Sequence, residues 1–172
     1  MNFELAQQHI EQWIMDFVEK PNPLLNNWPP CPYARQARLN QQVDIRPGCY
    51  NPIDDIKQVD LGEFEVVIYV YERERWSAEE FNELVETANV SYLAQRGLIA
   101  LADHPDDVET VAGVVMNQGT YAIIFVQDLA KLNHFAKILG KKDFYLYWPD
   151  EYLDVLFAGR IDPRLWHTNM LA

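Results

Sequence analysis

Two short groups carry residue types capable of chemistry: a cysteine with arginines at helical spacing behind it, and a histidine with two aspartates. The first is Trp28-Pro29-Pro30-Cys31-Pro32-Tyr33-Ala34-Arg35-Gln36-Ala37-Arg38-Leu39. Two prolines block helix before Cys31, whereas Pro32 suits a first helical position because its ring presets φ and its missing N–H has no partner there anyway. The spacing therefore predicts Cys31 as the N-cap of a helix running to Gln42. At about 100° per residue, Arg35 then stands one turn above Cys31 and Arg38 two turns above it, on one face. A thiol at the positive end of a helix, beside two guanidiniums, has a lowered pKa and can act as a nucleophile. The same place attracts a carboxylate or phosphate held by Arg35 and Arg38, with Trp28 and Tyr33 as walls. The structural alternative is a cysteine packed into the core by Trp28 and Tyr33, with both arginines paired to carboxylates.

The second group, His104-Pro105-Asp106-Asp107, follows an apolar run that reads as a buried strand. A histidine there can supply acid/base chemistry to a site shared with Cys31. The structural alternative is a helix start capped by Asp106 or Asp107.

These residues need a scaffold, and the composition says which kind. The chain has 172 residues, 49% apolar and 13% aromatic, which is enough for one globular domain with a sizeable core. No apolar run reaches membrane-span length, and the amino terminus lacks a signal-peptide pattern, so a cytoplasmic location without membrane contact is expected. Cys31 and Cys49 are then expected reduced. The net charge is −12, and residues 63–110 hold 12 acidic against 3 basic residues. That excess opposes direct nucleic-acid binding, where a basic patch is needed, and permits docking of a basic protein partner.

The elements follow from periodicity and capping. Asn2 caps a helix with Phe3, Ala6, Ile10, Trp13, Ile14 and Phe17 on its apolar face, ended by Lys20-Pro21. Residues 43–61 read as loop with at most a short strand. Phe64 to Tyr71 is a strand; Ser77 opens a helix with capping-box spacing that Gly97 stops; Leu98 to Ala102 is a second strand. Val108 to Met116 fits either a helix or a helix running into a strand. Thr120 to Gln127 is a third strand, Asp128 caps a helix ending at Gly140, Phe144 to Trp148 is a fourth strand, and Pro149 opens a short terminal helix. The expected fold is α+β in a single domain: a ferredoxin-like split βαβ sheet over 63–148, an N-terminal helical extension over 1–62, and a C-terminal helix and tail over 149–172.

Three resemblances attach to the motifs. Cys31-Pro32-Tyr33 resembles the start of the glutaredoxin active site, with Ala34 where the second cysteine would stand and no strand before it. His104-Pro105-Asp106-Asp107 resembles the motif of zinc-dependent N-acetylglucosaminyl deacetylases, which implies zinc on His104 and Asp107, Asp106 as general base, and a third ligand from His134 or His167. Cys31-Pro32-Tyr33-Ala34-Arg35, the helix from Ser77, and Gly97 to Asp106 together resemble, over residues 28–108, an uncharacterised bacterial family with Cys-Pro-Phe-Ala-Lys and a later His-Pro-Asp. That likeness implies that Cys31, Arg35 and His104 share a site, and it implies no activity.

Three functions are therefore expected in competition. The first is a small-molecule site for an anionic ligand, catalytic through Cys31 and His104, with Arg35, Arg38, Trp28 and Tyr33 binding. The second is a non-catalytic module whose acidic 63–110 surface, exposed through Glu79, Glu83 and Glu86, docks a basic partner. The third is a metal-dependent hydrolase with zinc or iron on His104, Asp106 and Asp107; the other two readings call for no cofactor.

Overall fold

The computed structural model describes residues 1–160 and holds a mixed four-stranded sheet covered on both faces by helices. The first helix, α1 (Phe3–Trp13), starts where the Asn2 side chain accepts the Leu5 N–H at 3.2 Å, and it continues as a π-helical turn over Ile14–Val18. A short helix α2 (Ala34–Leu39) leads into strand β1 (Val43–Pro47). Helix α3 (Pro52–Gln58) then follows, where sequence periodicity predicted only loop. Its signal is local: Asn51 accepts the Ile53 N–H at 3.0 Å and Pro52 takes the first helical position.

Strand β2 (Val66–Tyr71) and helix α4 (Ala78–Ala88) match their predicted positions. The Ser77–Glu80 capping box is complete: the Glu80 N–H donates to Ser77 Oγ at 3.2 Å, and the Ser77 N–H donates to Glu80 Oε2 at 2.9 Å. Gly97, at φ +67°, ends the following turns and admits strand β3 (Leu98–Asp103). The ambiguous 108–116 segment is a hairpin, β4 (Thr110–Val111) and β5 (Val114–Val115), turned by Ala112 and Gly113, both with positive φ. Strand β6 (Ala122–Asp128) runs into α5 (Leu129–Gly140), capped by Asp128, and α6 (Asp150–Leu156) closes the described chain. Trp166 and His167, in the predicted tail, lie outside the described residues.

The sheet order is β1-β2-β6-β3, with β1 parallel to β2 and β6 antiparallel to both β2 and β3. The α+β class and the split βαβ unit, β2-α4-β3 with β6 inserted, are therefore present. The ferredoxin-like fourth strand is not: residues 144–147 form turns, and the sheet edge beside β2 is occupied by β1. Phe144 is held in that turn by its N–H to the Leu139 carbonyl at 3.2 Å. Its ring meets Trp28 edge-on at 5.5 Å, so the aromatic run packs as a cluster instead of pairing as a strand.

Two-sided burial explains why Val66 to Tyr71 reads as continuously apolar. Val67, Tyr69 and Tyr71 face Ile56, Val59, Phe81 and Val85 of the α3–α4 layer, while Ile68 and Val70 face Ala6, Ile10 and Ile14 of the α1 layer. Because β1, β2 and β3 run parallel to one another, their carboxyl ends lie together at Pro47, Tyr71 and Asp103. The segments beginning at Gly48, Glu72 and His104 leave from that end.

Candidate functional site

The predicted Cys31 site does not assemble. Cys31 precedes the helix by three residues, because its own N–H donates to the Val18 carbonyl at 3.0 Å and its carbonyl accepts the Ala34 N–H at 3.2 Å in a turn; Tyr33, without a side-chain cap, starts α2. Cys31 keeps solvent-exposed surface, yet its sulfur is crowded enough by protein that desolvation raises the thiol pKa, against the opposing amides of Tyr33 and Ala34. This is the reverse of the expected lowering. Neither arginine is among the groups acting on the sulfur. Arg38 donates to both oxygens of Glu19, at 2.9 and 2.7 Å, which engages its guanidinium with a carboxylate. Arg35 is exposed. Tyr33 stacks on Phe135 of α5 at 4.1 Å and Trp28 packs on Phe144 in the turns after it, so both serve packing.

His104 lies elsewhere. Its ring packs at 5.7 Å from Phe81 of the α4 layer, whereas Cys31 is tied to Val18 at the end of the α1 layer, on the other face of the sheet. His104 is 1% exposed. Its Nδ1 accepts the Asp106 N–H at 3.2 Å and its Nε2 donates to the Arg73 carbonyl at 3.1 Å, a pattern that requires the Nε2–H tautomer and uses both nitrogens. No nitrogen lone pair points outward for a metal. Asp106 pairs with Arg73, Asp107 accepts from Asn82 Nδ2 at 2.8 Å, and among the described residues no three His, Cys, Asp or Glu side chains converge as a metal site. His134, a candidate third ligand, is exposed on α5. The motif opens no helix either; residues 104–109 form a turn and bend. Its residues act as a clamp, joining the ends of β2 and β3 to α4.

Sequence reasoning missed the partners of this clamp. Asn117 donates to Asp103 Oδ1 at 2.9 Å and to the Asp107 carbonyl at 2.9 Å, while accepting the Glu109 N–H at 2.7 Å. Asp103, buried, also accepts the Gln118 N–H at 2.9 Å. Burial raises the Asp103 pKa against those hydrogen bonds. Burial likewise raises Glu109, helped by the charges of Asp103 and Asp107 and opposed by the Tyr152 hydroxyl, which donates to it at 2.9 Å. A lone Asn between two turn segments offers no sequence signal for such a hub.

What the clamp accomplishes is electrostatic. Asn82 lies between Glu79 and Glu86 on one helical stripe of α4, so its bond to Asp107 sets Asp106 and Asp107 beside Glu79, Glu83 and Glu86, all of them exposed. The Arg73–Asp106 pair continues that surface to Glu72 and Glu74 at the end of β2. Eight carboxylates, at 72, 74, 79, 80, 83, 86, 106 and 107, thus lie along this surface with three cations, Arg73, Arg75 and the Met1 ammonium, the last two both on Glu72. Among the described residues no cation pairs with Glu79, Glu83 or Glu86. A groove of about 280 Å³ opens at the same end of the sheet, and Cys31, Arg35, Arg38 and His104 do not line it. Fold and site together define an α+β protein with a split βαβ sheet and a carboxylate-rich surface that runs from the exits of β2 and β3 along α4. No protein-family model, curated protein or solved structure matches the chain. Among the described residues no helix is long and apolar enough to cross a membrane.

Proposed function

We infer that the protein is a non-catalytic interaction module whose acidic face, running from the end of β2 across the 104–107 turn and along α4, docks a basic protein partner. One observation carries this reading: Asn82 and Arg73 stitch Asp107 and Asp106 to α4 and to the end of β2, so carboxylates distant in sequence lie on one exposed surface. The three unpaired glutamates of α4 leave that surface with charge to offer, and like charges held side by side favour a cationic partner. The raised Cys31 pKa, the capture of Arg38 by Glu19, and the full engagement of His104 weigh against the thiol-based anionic-ligand site. The likeness of residues 28–108 to the uncharacterised bacterial family adds no activity, since none is assigned to it.

The test is binding of an immobilised lysine-rich peptide to the full chain at rising ionic strength. Binding should weaken as the Debye length shrinks from about 30 Å at 0.01 M salt to about 8 Å at 0.15 M. It should be lost in the triple reversal Glu79→Lys, Glu83→Lys, Glu86→Lys. Equal binding by wild type and triple variant would remove the basis of the reading.

A further inference from the structure

We propose that the outer edge of β1 pairs with the same edge of a second copy of this chain, antiparallel about a two-fold axis through Ile45, joining the two sheets into one. The two edges of the sheet differ. At the β3 edge, Ala100 points its backbone away from β6 and the Asn89 side chain closes it: the Ala100 N–H donates to Asn89 Oδ1 at 2.7 Å, and Asn89 Nδ2 donates to the Ala100 carbonyl at 2.8 Å. An amide placed this way occupies the hydrogen-bonding positions that an added strand would use. The β1 edge has no such plug. The Val66 N–H donates to the Gln42 carbonyl at 3.3 Å and the Gly48 N–H donates to the Val70 carbonyl at 2.9 Å, so the even-numbered residues of this stretch bond to β2, while Val43, Ile45 and Pro47 turn their backbone outward. Among the described residues the N–H and carbonyl groups of Val43 and Ile45 have no hydrogen-bond partner, and both residues keep solvent-exposed surface.

This edge is complementary to itself. In an antiparallel pair centred on Ile45, that residue exchanges both backbone hydrogen bonds with its counterpart, and each Val43 N–H meets the Pro47 carbonyl of the other copy. Pro47 has no N–H, which ends the ladder there and keeps it short. Asp44 then stands directly opposite Arg46, in the closer, non-hydrogen-bonded position, and symmetry repeats the pair. Both groups have bonding capacity left. Arg46 donates from Nε to Asp44 Oδ2 at 2.7 Å and from its Nη atoms to the Tyr69 hydroxyl and the Asp60 carbonyl, both at 3.4 Å, which leaves guanidinium N–H groups over; Asp44 Oδ1 accepts from no described residue. On the other face of the sheet Val43 and Ile45 pack on the α1 layer, and in the pair Ile45 lies against its own counterpart. Opposite charges thus meet on one face and hydrocarbon meets hydrocarbon on the other. The edge is a different surface from the acidic face and stands without that reading.

The experiment is sedimentation equilibrium of the full chain from about 1 μM to about 1 mM, the range of a small interface, at about 0.15 M salt, where repulsion between two chains of charge −12 is screened beyond about 8 Å. Amide hydrogen exchange, read residue by residue at low and high concentration, locates the contact. A concentration-dependent dimer is expected, in which the Val43 and Ile45 amides exchange fast in the monomer and slowly in the dimer, because edge pairing covers them. Asp44→Arg is expected to weaken the dimer about tenfold, since both symmetry-related cross-strand pairs turn from attractive to repulsive, and adding Arg46→Asp is expected to restore it. Circular dichroism and melting verify that each variant folds, and the exchange measurement on wild type decides the case if one does not. A chain that stays monomeric at the highest concentration overturns the proposal. So does a dimer whose Val43 and Ile45 amides exchange as fast as in the monomer, or one as tight in Asp44→Arg as in wild type.

Discussion

The imidazole of His104 donates from Nε2 to the main-chain carbonyl of Arg73, 3.1 Å away, joining the exits of two parallel strands that are separated in the sheet by β6. A histidine that looks catalytic in the sequence is thereby a bracket. His104→Ala would open a cavity beside Phe81 and leave both the Arg73 carbonyl and the Asp106 N–H without partners. A loss of about 2–4 kcal/mol is expected in urea denaturation. A change below about 0.5 kcal/mol would mean that the turn is held by its other contacts.

Glu109 makes stability depend on pH in a definite sense. Burial raises its folded pKa, so the folded state holds this proton more tightly than the unfolded chain does. Its carboxyl therefore favours folding below its unfolded pKa, and that contribution is lost as pH rises through the higher folded value. Glu109→Gln retains an acceptor for the Tyr152 hydroxyl and removes the charge that Asp103 and Asp107 repel. Melting temperatures should rise in the variant at neutral pH and differ little near pH 4, close to the unperturbed carboxyl range. A variant equally destabilised at both values would contradict this.

Cys31 is expected to be a slow thiol. Desolvation of the thiolate outweighs the two amides that favour it. Its alkylation by iodoacetamide at neutral pH should lag behind a free thiol, accelerate as pH rises, and be indifferent to Arg35→Ala. The measurement uses Cys49→Ser so that a single sulfur reports. Alkylation faster than a free thiol, slowed by Arg35→Ala, would restore the activated-cysteine reading.

Gly48 allows the chain leaving β1 to lie directly on the ring of Tyr71. A methyl group added there would overlap the ring itself, and that ring is fixed, 1% exposed, with its hydroxyl donating to Asp55 at 2.8 Å. Gly48→Ala should cost about 3 kcal/mol, and Tyr71→Leu in the same background should recover part of the loss by vacating the space. A double variant no more stable than Gly48→Ala would show that backbone strain, and not the ring, sets the cost.

Interactions that close within one turn of chain were legible in the residues alone. The Ser77–Glu80 capping box, the Asp128 cap and the apolar run from Val66 to Tyr71 declare their elements because each signal and its consequence are a few residues apart. Helix α3 belonged to this class too: Asn51-Pro52 is a cap followed by a first-turn proline, and its short, scattered apolar pattern hid it. The rest required the third dimension. Phe144 to Trp148 has strand-forming composition, but the vacant place beside β2 goes to β1, and Trp28, distant in sequence, turns the aromatic run into packing. Arg35 and Arg38 do follow Cys31 at helical spacing, yet Glu19 claims Arg38 across a contact that no local pattern announces. Charge content was readable from composition, whereas its arrangement into one face depended on Asn82 and Arg73 reaching the 104–107 turn. The division is physical: capping and periodicity act through neighbouring backbone, while partner choice for a buried or charged side chain is settled by whichever group the folded chain brings within hydrogen-bond distance.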